Sequence, residues 1–403
     1  MKHNMAALVA LFLVITSSHA ANSLTLTVRN DLPMQRQQLI EVDMDSVRAK
    51  LELKYDEAFV VLNTMEQQET YQVTYDGKLL IDAAVKPRGT TSFTIMRGTP
   101  EPMRSWVEGK LYPLRKDDIG WENDRGAYRV YGPALQKSGE KSYGIDVWTK
   151  NSKELDMSSR YYKDYEGNIT GWANAENGQK NKKINLNTSF HLDHGDGLDC
   201  YAVGATLGCG APALMVDGNL VLPYCYKTYK ILDNGPLRFT VELTFNPTRI
   251  GNDENVVEHR IISLDKGSNF NHMTVWYEGL SKPHDLAAGV VIHSADKESV
   301  VIGNNFVQYA DPTDQPEKYG FQLYVAALFP NGAATQKLMY DRPSDGVEGH
   351  AIGIKRGLKN NERYSYFFGS AWSEYDVRSQ AEWQIRINDY MSAFAHPLLI
   401  EIK

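Results

Sequence analysis

Strict alternation of apolar and polar residues is the feature that most limits the fold of this 403-residue chain. In residues 237–245, Leu, Phe, Val, Leu and Phe alternate with Arg, Thr, Glu and Thr, and residues 257–261 and 270–277 continue the pattern. A period of two is typical of strands with one buried face. Short turns such as residues 265–267 join these segments, as in an antiparallel meander. The second half of the chain is therefore predicted to be a large antiparallel β structure.

Residues 22–108 are predicted to form a small separate β-sandwich. Residues 24–28 alternate in the same way, and Asp76-Gly77 is a strong hairpin signal between two short apolar runs. Helical periodicity is absent from this segment. The Thr-Pro-Glu-Pro run at residues 99–102 is typical of a linker. We expect residues 109–403 to form the second, larger β domain.

One helix is predicted near the end of the chain. Apolar residues fall near helical spacing over residues 377–395, Ser373 to Asp376 resembles a capping box, and Pro397 would end the helix. The polar residues 151–189 are predicted to be a long connection. The expected fold class is all-β, with one C-terminal helix packed outside the larger sheet structure.

Residues 1–20 are typical of a secretory signal. Lys2 precedes an apolar run that is too short to span a bilayer, and small residues precede a cut after Ala20. We expect an exported protein, periplasmic or extracellular, without a membrane span. The net charge of −7 argues against nucleic acid or an anionic membrane as partner.

The stretch from Phe190 to Gly210 contains the richest supply of reactive side chains, with two histidines, three aspartates, Tyr201 and five glycines. Glycine permits positive φ angles, and loops on a rigid scaffold often carry function. The alternative is a solvated surface turn. Cys200 and Cys209 also lie here, and export predicts that they are close enough to form a disulfide. Three buried thiols are the alternative.

A second notable stretch covers residues 118–147. Trp121 is predicted to stack on a ligand, with Asn123 beside it, and Arg125 is predicted to bind an anion. The alternative is the start of a strand with a surface ion pair.

Three runs of sequence together resemble the DUF4861 family of exported bacterial proteins: WENDRGAYRVYGPAL, HGDGLDCYAVGATLGCG, and YKILDNGPLRFTVELTF followed by ISLDKGSNFNHMTV. The similarity covers nearly all of the mature chain. It implies a galactose-mutarotase-like supersandwich for the second part and an association with the breakdown of acidic plant polysaccharides. The reaction of the family is unassigned, and a fold does not fix a reaction.

Sugar chemistry requires proton-transfer groups and groups that hold the ring. His194 is the first candidate for proton transfer, with His191 as a less favoured alternative, because histidine titrates near neutral pH. His293, at the end of an apolar run, is the second. Asp196 and Asp199 could orient a histidine or act as acid and base, and Tyr201 could donate a proton. The predicted substrate-binding residues are Trp121, Asn123, Arg125, His191 and Asp199.

The predicted function is cleavage of uronate-containing oligosaccharides, by a lyase or a hydrolase. A guanidinium such as Arg125 matches a uronate carboxylate. A non-catalytic sugar-binding protein or a sugar epimerase is the alternative. No cofactor is expected. A metal is the minority alternative, because its possible ligands match no EF-hand loop, HExxH helix or zinc knuckle in their spacing; they are His191, Asp193, His194, Asp196 and Asp199. We expect the two stretches to meet in one cleft, with His194 and Arg125 lining it and His293 close by.

Overall fold

The computed structural model describes residues 23–176, 185–222, 224–293, 299–312, 321–344 and 346–403. The predicted signal segment, residues 1–20, lies outside the described residues. Within the described part of the chain, no helix is both long enough and apolar enough to cross a bilayer.

The strands and helices are numbered in chain order. The first part contains β1 (Ser23–Arg29), β2 (Arg36–Asp43), α1 (Met44–Leu51), β3 (Phe59–Leu62), β4 (Tyr71–Val73), β5 (Lys78–Val85) and β6 (Thr90–Arg97). The middle contains β7 (Glu108–Tyr112), β8 (Asp118–Glu122), β9 (Ala127–Val130), α2 (Pro133–Lys137), β10 (Asp146–Trp148) and α3 (Met157–Glu176).

The remaining strands and the last helix follow from residue 209. They are β11 (Cys209–Val216), β12 (Asn219–Val221), β13 (Tyr226–Asn234), β14 (Arg238–Phe245), β15 (Thr248–Ile250), β16 (Asp253–Asp265), β17 (Phe270–Glu278), β18 (His284–Ile292), β19 (Val300–Ile302), β20 (Phe306–Asp311), β21 (Leu323–Leu328), β22 (Ala334–Ser344), β23 (Val347–Leu358), β24 (Tyr364–Trp372), α4 (Gln380–Ala395) and β25 (Leu399–Ile402).

The N-terminal part is a sandwich of two antiparallel sheets around its own apolar core, with strand orders β25-β1-β6-β3 and β2-β5-β4. Two features differ from the sequence prediction. Helix α1 is present, because Asp43 accepts a hydrogen bond from the Ser46 amide and caps its start. The C-terminal strand β25 also returns to this sandwich, where Leu26 pairs with Ile402. The last residues of the chain therefore extend the N-terminal sheet instead of the larger domain.

The larger part is a two-layer antiparallel structure. One layer is the long sheet β13-β14-β16-β17-β24-β21-β20-β19, with β15 paired to β16. The second layer contains the sheets β12-β11-β18-β23-β22 and β10-β9-β8-β7, which a bridge between Ile145 and Gly208 connects. All three sheets share one core. The predicted all-β fold class is confirmed, whereas a specific likeness to mutarotases stays a prediction.

Helix α4 covers the outer face of the long sheet, as predicted. Trp383 and Ile387 are fully buried against a set that includes Phe270 and Phe367. The helix begins later than the sequence suggested, because Ser379 is the N-cap and accepts a hydrogen bond from the Glu382 amide at 3.2 Å. The predicted cap at residues 373–376 is wrong. The Ser373 hydroxyl accepts a hydrogen bond from the Gln322 amide at 2.8 Å, and the Tyr375 hydroxyl donates to the Asp124 carbonyl oxygen at 3.0 Å.

Helix α3 lies within the segment predicted to be a connection. Its sequence is polar, so no apolar face marked it as a helix. Tertiary contacts stabilise it instead: the Met157 amide donates to the Glu122 carboxylate at 2.8 Å, and the Tyr161 ring stacks on Tyr112 with centroids 4.0 Å apart. Packing outweighs weak local preference here.

Candidate active site

A group of charged side chains is buried where β8, β9 and β10 meet the loop that contains Asp199. Arg129 lies at its centre: its Nη2 contacts Asp146 directly and is 2.9 Å from Asp199 Oδ2, and its Nη1 is 3.6 Å from Asp118 Oδ2. All four side chains are at most 4% exposed. We call these four residues the Arg129 cluster. One cation therefore faces three carboxylates inside the protein.

The strand pairing brings the cluster together. Asp146 in β10 lies directly opposite Arg129 in β9, and every residue of β8, β9 and β10 is buried. Charged side chains on these strands are therefore shielded from solvent. A buried charge is tolerated only when it is paired and hydrogen-bonded, which explains why the carboxylates gather around the single guanidinium.

The cluster holds a proton at neutral pH. Burial raises the pKa of Asp146 to about 8, although the charge of Arg129 opposes the shift, and the nearby Asp199 adds to it. Burial also raises the pKa of Asp118 to about 6, again against the effect of Arg129. Because the carboxyl groups interact, the proton belongs to the cluster as a whole.

We predict that Asp146→Asn reduces the pH dependence of stability. The folded pKa of about 8 lies above the unfolded value of about 3.9, so the folded state binds the proton more tightly. Stability from this group is present at low pH and is lost as the pH rises from about 4 to about 8. Asparagine cannot ionise. The measurement is urea unfolding at pH 5, 7 and 9. The free energy of unfolding of the variant, relative to that of the wild type, should therefore increase with pH by up to about 1.4 kcal/mol per pH unit. Parallel pH curves would contradict this assignment.

The predicted residues of the 190–210 stretch extend from this cluster to the surface. His191 is the outer neighbour of Asp199: its side chain is 46% exposed, and its Nδ1 is 3.6 Å from Asp199 Oδ2. His194 is exposed, and its Nε2 is 3.0 Å from the Ser189 carbonyl oxygen. Asp196 lies 3.8 Å from Lys163 Nζ. His194 and Asp196 therefore lie outside the cluster.

Gly197 shows why this stretch contains glycine. Its φ angle is +90°, and an added Cβ would lie 2.1 Å from the Thr149 carbonyl oxygen. Only glycine fits both constraints. The close approach places Asp199 against Arg129.

A second acid-base group lies at the ends of β18 and β20. His293 Nδ1 is 2.7 Å from Asp311 Oδ2, and Asp311 is fully buried. A carboxylate oxygen accepts a hydrogen bond, so we assign the proton of this contact to Nδ1. This assignment fixes the tautomer of the ring.

Tyr201 connects the two groups. Its ring packs edge-on against His293, with centroids 5.6 Å apart. Burial raises the pKa of its hydroxyl well above the usual value, and Cys209, Asp311 and Asp146 add to the rise. Among the residues that the structure describes, none is a hydrogen-bond partner of this hydroxyl. Tyr201 is therefore a protonated donor located between His293 and the Arg129 cluster.

His350 supports this region without titrating. Burial, together with the charge of His293, lowers its pKa to about 3. Its Nε2 accepts a hydrogen bond from the Leu207 amide at 3.1 Å, and its Nδ1 is 2.9 Å from the Tyr340 hydroxyl oxygen. The neutral His350 ring therefore holds the backbone of the segment that follows Tyr201, through its hydrogen bond with the Leu207 amide.

Two predicted substrate-binding residues are structural instead. Trp121 is fully buried, and its Nε1 donates to Asn271 Oδ1 at 2.7 Å. Asn123 is also fully buried and donates to the carbonyl oxygens of Asp265 and Ser268 at 2.6 and 2.8 Å. Neither side chain presents a surface to a sugar, so both predictions are wrong.

Arg125 lies in a different place from His194. Its Nη1 donates to Asp376 Oδ2 at 3.0 Å, and its side chain lines a cleft between the N-terminal sandwich and α4. No residue of the 190–210 stretch is among the described residues that line this cleft. The predicted common cleft for Arg125, His194 and His293 is therefore wrong.

The predicted disulfide is also wrong. Cys200, Cys209 and Cys225 are all buried and are not in disulfide bonds. Cys209 donates from Sγ to the Gly369 carbonyl oxygen at 3.5 Å, whereas Cys200 packs with Leu198 and Trp372. The two sulfurs belong to different packing clusters.

Sequence reasoning missed Asp118, Arg129, Asp146 and Asp311. A signal was present for two of them: Arg129 stands alone in the run Ala-Tyr-Arg-Val-Tyr and Asp146 in Ile-Asp-Val-Trp. A single charge inside an apolar strand indicates a buried pair. Among the described residues, no three His, Cys, Asp or Glu side chains are arranged to hold a metal ion.

The chain is similar to known proteins over nearly all of its length. The sequence profile described as "Domain of unknown function (DUF4861)" matches residues 28–400. A relative from Formosa agariphila, described as "Uncharacterized protein P7", is 24% identical over 397 residues, which cover 94% of this chain and 93% of the relative.

Two solved structures from Enterococcus faecalis also match, each at 8% identity. One is described as a protein in the Glycosyl Hydrolase Family 38 (TM-score 0.49, 95% of this chain covered) and the other as an alpha-mannosidase (TM-score 0.48, 96% covered). The chain spans about half the length of these solved structures, 47% in each case.

Proposed function

The chain belongs to the DUF4861 family, and from the chemistry of its buried side chains we propose that it is a lyase that cleaves uronate-containing oligosaccharides. The observation that carries the proposal is the hydrogen-bonded pair of His293 and Asp311 at 2.7 Å, with the protonated Tyr201 against it. A histidine oriented by a carboxylate and a protonated phenol form an acid-base pair. The family description names no reaction, so the proposal rests on these residues.

His293 is assigned as the general base. Asp311 holds the Nδ1 proton and orients the ring, so that Nε2 takes up the proton of the substrate. The carboxylate also stabilises the imidazolium that forms. The His293 side chain is 10% exposed and Tyr201 is 3% exposed. The proposed reaction therefore requires local opening for the substrate to reach this pair, and bulk water competes little for the same proton.

Tyr201 is assigned as the general acid. A phenol whose pKa is raised by burial remains protonated and can donate to a leaving oxygen. The same raised pKa makes it unsuited to act as the base. The two roles therefore fall to different residues.

The reaction that uses this pair is β-elimination. His293 removes the C5 proton of the uronate, which is acidic because it is adjacent to the carboxyl carbon. The electron pair forms the C4–C5 double bond while the C4–O4 bond breaks, and Tyr201 protonates the departing O4. A later proton transfer from His293 to Tyr201 restores both groups.

Hydrolysis fits the site less well. It requires two carboxyl groups that flank the bond, one of them protonated, at separations of about 5–9.5 Å. Asp146 carries a raised pKa, as an acid would, but Asp146 and Asp199 both contact the same nitrogen of Arg129. They cannot flank a sugar without breaking the Arg129 cluster.

The cellular location is part of the proposal. Residues 1–20 are typical of a signal segment, so we propose that the protein acts in the periplasm or outside the cell. Polysaccharide fragments are present in these compartments. The proposed reaction requires no cofactor.

The test is an oligosaccharide panel with two readouts. Oligomers of galacturonate and of glucuronate are incubated with the protein, next to neutral galactose and mannose oligomers. We expect an ultraviolet absorbance from unsaturated uronates, with new reducing ends in equal amount, for at least one acidic oligomer. New reducing ends without the ultraviolet absorbance would show hydrolysis. No signal in either readout would favour a non-catalytic sugar-binding protein or an epimerase.

A further inference from the structure

A cleft separates the N-terminal sandwich from α4 and the hairpin that joins β16 to β17. It has a volume of about 320 Å³ and continues into a second cavity of about 350 Å³. Arg125, Lys266 and Gln37 line both parts. The first cavity has strand β2 on one wall and α4 on the other, so both domains contribute to it.

Two arginines in this cleft share one carboxylate. Arg125 Nη1 is 3.0 Å from Asp376 Oδ2, and Arg386 Nη1 is 3.8 Å from the same oxygen. Asp376 is 9% exposed, whereas the arginine side chains are 29% and 33% exposed. One carboxylate is thus shared by two guanidinium groups, and both arginine side chains are partly exposed to the cleft.

The rest of the first cavity adds to the positive charge. Four cationic residues line it, Arg36, Arg125, Lys266 and Arg386, against two acids, Asp265 and Asp389. Asp265 is already bound by Arg238 through two contacts of 2.5 and 2.8 Å. Lys266 is likewise paired with Asp82, so Arg125 and Arg386 supply the positive charge that faces the cleft. Burial and the charge of Arg125 lower the pKa of Arg386, which indicates repulsion that an anion would relieve.

An apolar wall lies beside the arginines. Tyr390 and Phe394 of α4 line the cleft, and Phe394 is 46% exposed. In the second cavity, Trp106 lies between Arg104 and Lys266, with the cationic groups 4.2 and 4.7 Å from the ring centroid. Cations next to partly exposed aromatic rings suit a ligand that has both charges and apolar ring faces.

We propose that this cleft binds the carboxylate groups of an acidic oligosaccharide through Arg125 and Arg386. Each guanidinium has further N–H donors in a planar fork that matches a carboxylate. The aromatic side chains would contact the sugar rings. This binding site is separate from His293 and Tyr201, and it does not depend on the proposed catalytic role of these residues.

The competing interpretation is a purely structural contact between domains. Arg36 fills that role: it donates to the carbonyl oxygens of His396 and Ala393 at the end of α4, at 2.5 and 3.0 Å. It is 4% exposed. Arg125 and Arg386 differ from it because about a third of each side chain is exposed to the cleft.

The experiment uses calorimetric titration of the full chain with a galacturonate tetrasaccharide. The matched ligand is the same tetrasaccharide with every carboxyl group methyl-esterified, which removes the charge and keeps the sugar rings. The variants are Arg386→Gln and Arg125→Gln, with Arg356→Gln as control, because Arg356 is 64% exposed and lies on β23 outside the cleft. Circular dichroism verifies that each variant is folded.

We expect the acidic tetrasaccharide to bind and its ester to bind at least about tenfold more weakly. Arg386→Gln and Arg125→Gln should each weaken binding by about tenfold or more, which corresponds to about 1.4 kcal/mol. Arg356→Gln should bind like the wild type. Equal binding of acid and ester, unchanged binding by Arg386→Gln, or no binding of the acid would overturn the proposal. Turnover in the oligosaccharide panel is a separate readout, so the two proposals can fail independently.

Discussion

An Arg129→Met variant is expected to lose about 3–5 kcal/mol of unfolding free energy at pH 7, the usual cost of removing one partner from a buried charge group. Arg129 is the shared cation for Asp118, Asp146 and Asp199, none of which is more than 4% exposed. Without it, the carboxyl groups must take up protons or remain charged inside the protein, and both cost stability. Since whole domains are stable by only about 5–15 kcal/mol, this loss is a large part of the total stability.

Two further variants make this test specific. Arg356→Met removes an arginine whose side chain is 64% exposed, and it should change the free energy of unfolding by less than about 1 kcal/mol. Adding Asp146→Asn and Asp199→Asn to Arg129→Met should recover part of the loss, because these changes remove the unpaired charges. Urea unfolding supplies all the values. A loss below about 1 kcal/mol for Arg129→Met would show that the cluster is not the buried charge network described.

His293→Gln is expected to lower turnover of the active acidic oligosaccharide by about 10²–10⁴-fold, the usual contribution of a general base. Glutamine keeps a donor for Asp311 but has no nitrogen that takes up a proton. The fold should therefore persist while the rate falls. The measurement is kcat/KM for the folded variant against the wild type.

His194→Gln is the matched control for His293→Gln. His194 is exposed, and its Nε2 contacts the Ser189 carbonyl oxygen, so turnover should change by less than about threefold. If His194→Gln is inactive while His293→Gln has normal rates, the general base is His194, the residue that the sequence analysis favoured.

The sequence predicted the elements whose surroundings differ from one face to the other. β14 has one mostly buried face, and its alternation indicated a strand. α4 has apolar residues at helical spacing because it covers one face of a sheet. Helix α3 has no such stripe, and contacts with residues distant in sequence, such as Glu122, stabilise it.

The candidate site could be predicted only in part, because it depends on pairing between distant segments. His293 and Tyr201 were identified from their residue types, and the structure places them in contact. Asp311 was missed because its partner lies on another strand. Trp121 was predicted to bind a ligand because it is an aromatic residue next to charged residues in the sequence. Its indole N–H instead donates a hydrogen bond to Asn271 inside the core.

The central claim is that His293 and Tyr201 act as one acid-base pair, and a double-mutant cycle on turnover tests it most directly. Tyr201→Phe removes a buried hydroxyl without a hydrogen-bond partner among the described residues, so stability should hold or rise, and any loss of rate reports on catalysis. Residues that act as a unit show non-additive losses. We predict that each single variant loses at least about 100-fold in kcat/KM and that the double variant is no slower than the slower single one. Wild-type rates in Tyr201→Phe, or losses that multiply in the double variant, would contradict the account.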